Sequence, residues 1–156
     1  MAYSRRTMDA VDLTSLYDTD ELAWIEAQVE ALRSGDLERL DRANLIECLT
    51  DMAKRERREL ESRLTVLAAH ILKCQMQPPA TRSWWLTIQE QKRQVRRMLR
   101  DYPSLAAKAE DLLGGVYPDA IESALDETGL DRSVVPTGVP TVQDLLTFDV
   151  GNDDGG

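Results

Sequence analysis

The chain has 156 residues, of which 42% are apolar and 30% charged, with a formal net charge of −9. One Phe, four Tyr and three Trp leave Leu, Ala, Ile and Val to fill the core of a single domain, a composition that suits helices. No apolar run nears the ~18 residues of a membrane span, no apolar leader opens the chain, and Val/Ile/Thr alternations are lacking. The expectation is a cytoplasmic, all-α protein without a membrane partner.

Residues 1–16 read as a flexible lead-in, 17–148 as a single all-helical domain and 149–156 as a disordered acidic tail. The first helix is expected in "YDTDELAWIEAQVEALRSG". Asp18 would be its N-cap, with Glu21 closing a capping box and Tyr17 stapled to Leu22. Leu22, Ile25, Val29 and Leu32 form its apolar stripe, and Gly35 is the expected stop. From Asp41, a candidate cap, to Gln77 there is neither Gly nor Pro. Leu45, Ile46, Leu49, Met52, Ala53, Leu60, Leu64, Leu67 and Ile71 stay on one side of a helical wheel there, so 41–77 is one long helix or two joined by a kink. Pro78 and Pro79 then force a break.

Ser83 is the candidate cap of the next helix, "WWLTIQEQKRQVRRMLRDY", whose stripe is Trp84, Trp85, Ile88, Val95, Met98, Leu99 and Tyr102. Pro103 opens another helix, expected to be interrupted at Gly114–Gly115 and to resume as "PDAIESALDETG". Gly129 should end it in a Schellman-type stop, with Leu130 against Leu125. "TVQDLLTF" is a last short amphipathic piece. The architecture expected is a compact bundle of about five to seven helices.

Charge is segregated. Residues 54–100 carry 12 Lys and Arg against four acids, a net +8 that leaves −17 on the rest. The stretch "KRERRELESR" looks like a basic arm for nucleic acid. At a spacing of four, however, Asp51, Arg55, Glu59 and Arg63 form an alternating ladder, and Arg57 faces Glu61. Such a face neutralises itself. Arg93, Arg96, Arg97 and Arg100 behave differently: they repel one another at fourfold spacing, which predicts partners off their own helix. Phosphates would serve, and so would the acidic segments "DETGLD" and "FDVGNDD"; with a sequence pI near 4.6 the protein carboxylates are favoured.

Glu56 falls inside the apolar stripe between Met52, Ala53 and Leu60. Glu59, Arg63 and His70 flank the same stripe, and Gln91 takes an equivalent place between Ile88 and Val95. These five residues define a candidate polar pocket, either a hydrogen-bonded network that fixes helix register or a metal site of Glu56, Glu59 and His70. Di-metal bundles use Glu-x-x-His pairs, whereas Leu67 stands three residues before His70 and a second histidine is lacking. Cys48 and Cys74 supply no zinc-ligand spacing and no expected disulfide. The glycine pair at 114–115 lacks the Lys-Ser/Thr of a phosphate loop, and nothing near His70 offers a nucleophile by spacing.

"YDTD" with Trp24, "NLIE" with Asp51 and Met52, "RRELESRLTVL", "HILK", "QPPATRSWWLTIQEQ", "YPSL" and "ETGL" occur in order along the chain. By these motifs, covering residues 17 to about 146, it resembles the bacterial domain-of-unknown-function family number 29. It departs from that pattern at Cys48, where an acid is usual, and at Cys74 and Met76, where aromatics are usual. The resemblance implies a compact helical fold and carries no catalytic residue, cofactor or substrate. The expected function is therefore a non-enzymatic, self-associating helical interaction module without cofactor or metal. A nucleic-acid-associated regulator using Arg93, Arg96, Arg97 and Arg100 ranks second, and a hydrolase or metal enzyme third.

Overall fold

The computed structural model describes residues 10–151. Among them are seven α-helices, two 3-10 turns and no strand. Internal contacts divide the chain into two units, residues 1–55 and 56–156.

The first unit contains α1 (Ala10–Thr19), α2 (Glu21–Ser34) and the opening turns of α3, a helix spanning Arg42–Met76. Helix begins at Ala10, inside the stretch expected as a lead-in; residues 1–9 lie outside the described part. Asp18 consequently sits within α1, and the N-cap of α2 is Asp20, whose carboxylate accepts from the amide of Ala23 at 3.1 Å. The expected staple is replaced by an edge-on contact of Tyr17 with Trp24, ring centroids 4.7 Å apart. The large indole decides how α2 is turned. Trp24, Gln28 and Ala31 face inward, and the expected core stripe points outward, with Leu22 66% and Leu32 57% exposed. Burying Trp24 removes more apolar area than any Leu or Val could, provided its N–H finds an acceptor. Asp41 supplies one: its Oδ2 accepts from Trp24 Nε1 at 3.0 Å and from Asn44 Nδ2 at 2.7 Å, while its own amide donates to Gln28 Oε1 at 2.7 Å. Asp41 also accepts from the amide of Asn44, so the sequence-predicted cap does double duty. Gly35, at φ 75°, closes α2 as expected.

α3 is one continuous helix of 35 residues, which settles the choice between one helix and two. Its stripe changes character along its length. Leu60, Leu64, Leu67 and Ile71 are buried in the second unit, whereas Ile46, Leu49 and Met52 are more than half exposed in the first. Of the expected ion-pair ladder, Glu59–Arg63 closes at 2.8 Å, and Asp51, Arg55, Arg57 and Glu61 make no ion pair among the described residues. Exposed pairs gain about 0–1 kcal/mol, too little to hold long side chains in register.

The second unit continues with α4 (Arg82–Asp101), α5 (Pro103–Ala106), α6 (Ala109–Thr128) and α7 (Val142–Thr147). Its core joins the α3 stripe to Ile88, Val95 and Met98 of α4, Leu113, Tyr117, Ala120 and Ala124 of α6, and Val142, Leu145 and Leu146 of α7. Thr81 caps α4 by accepting from Trp84 N at 3.2 Å, two residues before the expected Ser83. The break expected at Gly114–Gly115 falls instead at Ala107–Lys108, and α6 runs unbroken through both glycines and Pro118. The pairing explains itself: a helical proline crowds the carbonyl four residues back, here that of Gly114, where a missing Cβ lets the backbone adjust. Gly129, at φ 67°, ends α6 with one bond from its amide to Leu125 O. Leu130 N donates to Thr128 Oγ1, so the second bond of a Schellman stop is not made. Both cysteines are free, Cys74 buried and Cys48 half-buried. Of the tail expected to be disordered, residues 152–156 lie outside the described part, while Val150 packs against the core.

Candidate functional site

The predicted polar pocket forms in part. Arg63 of α3 donates through Nε and Nη2 to Glu59 Oε1, at 3.0 and 2.8 Å, and through Nη1 to Gln91 Oε1 of α4 at 3.3 Å. One guanidinium thus ties the two helices in register, which is the network reading. Glu56 is half-buried and, with Glu59, lines a cavity of about 300 Å³ closed by Arg97, Met98, Asp101 and Tyr102. His70 is not part of it. Seven residues beyond Arg63, and so about 10 Å along the helix, its Nδ1 donates to Val66 O at 2.9 Å. Among the described residues no group of three His, Cys, Asp or Glu side chains is placed to hold a metal ion.

Burial pushes the His70 pKa below its ordinary value, and the nearby Lys73 ammonium adds to the effect. A histidine depressed in the fold stabilises it fully above the unfolded pKa of about 6.5, and that contribution is lost as pH falls through the folded value. Thermal melts taken below about pH 6.5 should therefore show a smaller loss of Tm for His70→Gln than for the parent chain. Parallel curves would show that His70 does not carry the titration.

Arg93, Arg96, Arg97 and Arg100 of α4 are exposed, and the structure corrects where their partners lie. Arg93 pairs with Glu90 and Arg100 with Asp101, both on α4 itself. Arg96 does reach off the helix, to the carbonyl of Leu146, and Arg97 lines the cavity that holds Glu56 and Glu59. In the candidate acidic segment "DETGLD", Glu127 is bound to Lys73.

That pair belongs to the residues the sequence reading passed over. Two lysines are buried in the second unit, Lys73 at 1% and Lys92 at 6% exposure. Each ammonium stands over one of the consecutive tryptophans: Lys73 is 5.1 Å from the Trp84 ring, and Lys92 is 5.7 Å from that of Trp85. Lys73 completes its coordination with Glu127, whose pKa is drawn down by that bond. Lys92 donates to Phe148 O, and its pKa is lowered by burial and by Arg96, with Asp149 opposing. The carbonyls of Leu146 and Phe148 stand at the C-terminal end of α7, where unpaired acceptors and the helix dipole favour cations. At its other end, α7 has a capping box of Thr141 and Asp144, and Glu110 accepts from Val142 N at 3.1 Å. Six residues are too few for a helix to persist alone, so these end contacts and three buried side chains are what hold it. A signal for Lys92 was present: it sits four residues after Ile88 and three before Val95, inside the stripe. Lys73 lies in "LAAHILKC", a run buried at every position except the half-buried His70.

A family model described as "Domain of unknown function DUF29" matches residues 16–149. No curated protein and no solved structure matches the chain. No helix among the described residues is long and apolar enough to cross a membrane.

Proposed function

This chain belongs to the DUF29 family, and on that premise we propose that it is a non-enzymatic helical interaction module that associates with itself in the cytoplasm. The observation that carries the reading is the outward-facing apolar surface of α2 and the start of α3 among the described residues. Leu22, Ile25, Val29 and Leu32 recur at spacings of three and four along α2, and Leu49 is 61% exposed between Ile46 and Met52 on α3. Spacings of three and four are those of a helix–helix seam. The same α3 stripe is fully covered where helices of the second unit lie on it, so its bare half has the composition of a core lacking its second wall. Cys48 and Cys74, both thiols, suit a reducing compartment.

The nucleic-acid alternative has less support. Arg93, Arg96 and Arg100 already hold protein oxygens, and the exposed lysine and arginines at 54, 55, 57 and 58 alternate with Glu56, Glu59 and Glu61. An enzyme would need a nucleophile, base or metal set, and the polar pocket is spent on a structural tie.

Sedimentation equilibrium over a concentration series tests the proposal. The parent chain should associate, and Val29→Glu or Leu49→Glu should each raise the dissociation constant by roughly tenfold or more, since each removes about 1.5 kcal/mol or more of apolar burial. A parent chain that stays monomeric throughout the series would refute it.

A further inference from the structure

A cleft of about 360 Å³ opens in the second unit between the C-terminal half of α3, Tyr117 of α6 and the loop from Pro136 to Pro140. Its size sits at the lower end of small-molecule sites, and Ile71, Leu72 and Leu145 give it an apolar floor. Tyr117 and Phe148 add aromatic rings, whose faces carry partial negative charge. Tyr117 is 5% exposed, yet its hydroxyl makes no hydrogen bond to another described residue. Its oxygen is not sealed from solvent and is open to a ligand in the cleft. One charged side chain lines the cleft, Asp144, and no lysine, arginine or histidine does.

We propose that this cleft binds a small molecule made of a compact apolar body and one protonated amine. The floor takes the body. The ammonium donates to the Asp144 carboxylate and to the idle Tyr117 oxygen, and the ring faces add cation–π attraction. An anionic ligand would meet Asp144 with no cation to offset it, and a neutral apolar ligand would leave the carboxylate unused. Asp144 is exposed, and Thr141 N donates to its Oδ2 at 2.8 Å as part of the helix cap, which draws its pKa down. The site is independent of the exposed apolar stripes of residues 1–55, so its failure would leave self-association untouched.

Three probes of equal chain length decide it on the full chain: hexylamine, hexan-1-ol and hexanoate, each followed by amide chemical shifts at neutral pH. Hexylamine should give saturable shifts concentrated at residues 136–145 and bind about tenfold or more tighter than hexan-1-ol, with hexanoate weakest. Asp144→Asn keeps an acceptor for Thr141 N and should reduce hexylamine to the level of the alcohol, and Tyr117→Phe should weaken the amine while sparing the alcohol. Equal binding of hexanoate, shifts centred elsewhere, or no saturable shift with any probe would overturn the proposal. The comparison of probes on the parent chain holds whether or not either variant folds.

Discussion

Trp24→Ala should cost about 3–5 kcal/mol, the range for deleting a buried indole, and the loss should concentrate in residues 10–55. The indole is 1% exposed, touches Tyr17 edge-on and donates to Asp41, which also organises Asn44 and Gln28. Removing it leaves a cavity and takes one donor from a carboxylate that three groups share. Hydrogen exchange gives the readout: amides of α1 and α2 should lose protection by orders of magnitude while those of α6 keep theirs. Trp24→Phe separates the two contributions. It keeps a ring, loses the N–H, and should cost about 1–2 kcal/mol for the bond in addition to a smaller packing loss. If Trp24→Ala melted like the parent chain, the indole would not be what orients α2.

Glu127→Ala should destabilise the second unit by about 1–3 kcal/mol, whereas Lys73→Met should fall within about 1 kcal/mol of the parent. The asymmetry follows from burial. Lys73 is 1% exposed while the Glu127 side chain is 52% exposed. Losing the glutamate strands a desolvated ammonium whose remaining attraction is the Trp84 ring. Methionine at position 73 fills similar space with nothing to desolvate. The usual cost of breaking a buried pair is about 3–5 kcal/mol, reduced here because water reaches the glutamate's end and screens it. Denaturant unfolding of both single variants and the double variant measures the coupling. A larger loss for Lys73→Met than for Glu127→Ala would reverse the argument.

The helical class, a Gly/Pro-free helical span over 41–77, the caps Asp41 and Gly129 and the short final helix were readable from residue spacing, whereas the choice between one helix and two over that span was not. Local rules do well where the decision is local. They failed where a distant contact chose between neighbouring solutions. Asp18 and Asp20 are equally good caps by type, and Tyr17 meeting Trp24 favours the second. The Leu22 stripe has better periodicity than the Trp24 face, but the indole and its Asp41 acceptor outweigh it. In the candidate pocket, Glu59, Arg63 and Gln91 come together as their wheel positions imply. His70 shares their face yet lies two turns on, a distance the wheel projection conceals. The buried lysines were missed because lysine is ordinarily a surface residue, and the tryptophans beneath them were read only as core.

Lys92 donates to the carbonyl of Phe148 and Arg96 to that of Leu146, and this makes the final helix a form of insulation for the basic one. A protease nick in the exposed loop at Gly138 would strip that cover and bare two adjacent cations beside Trp85. Clipped material should then adhere to polyanions more strongly than the intact chain, a difference that retention on an anionic column at low salt would read.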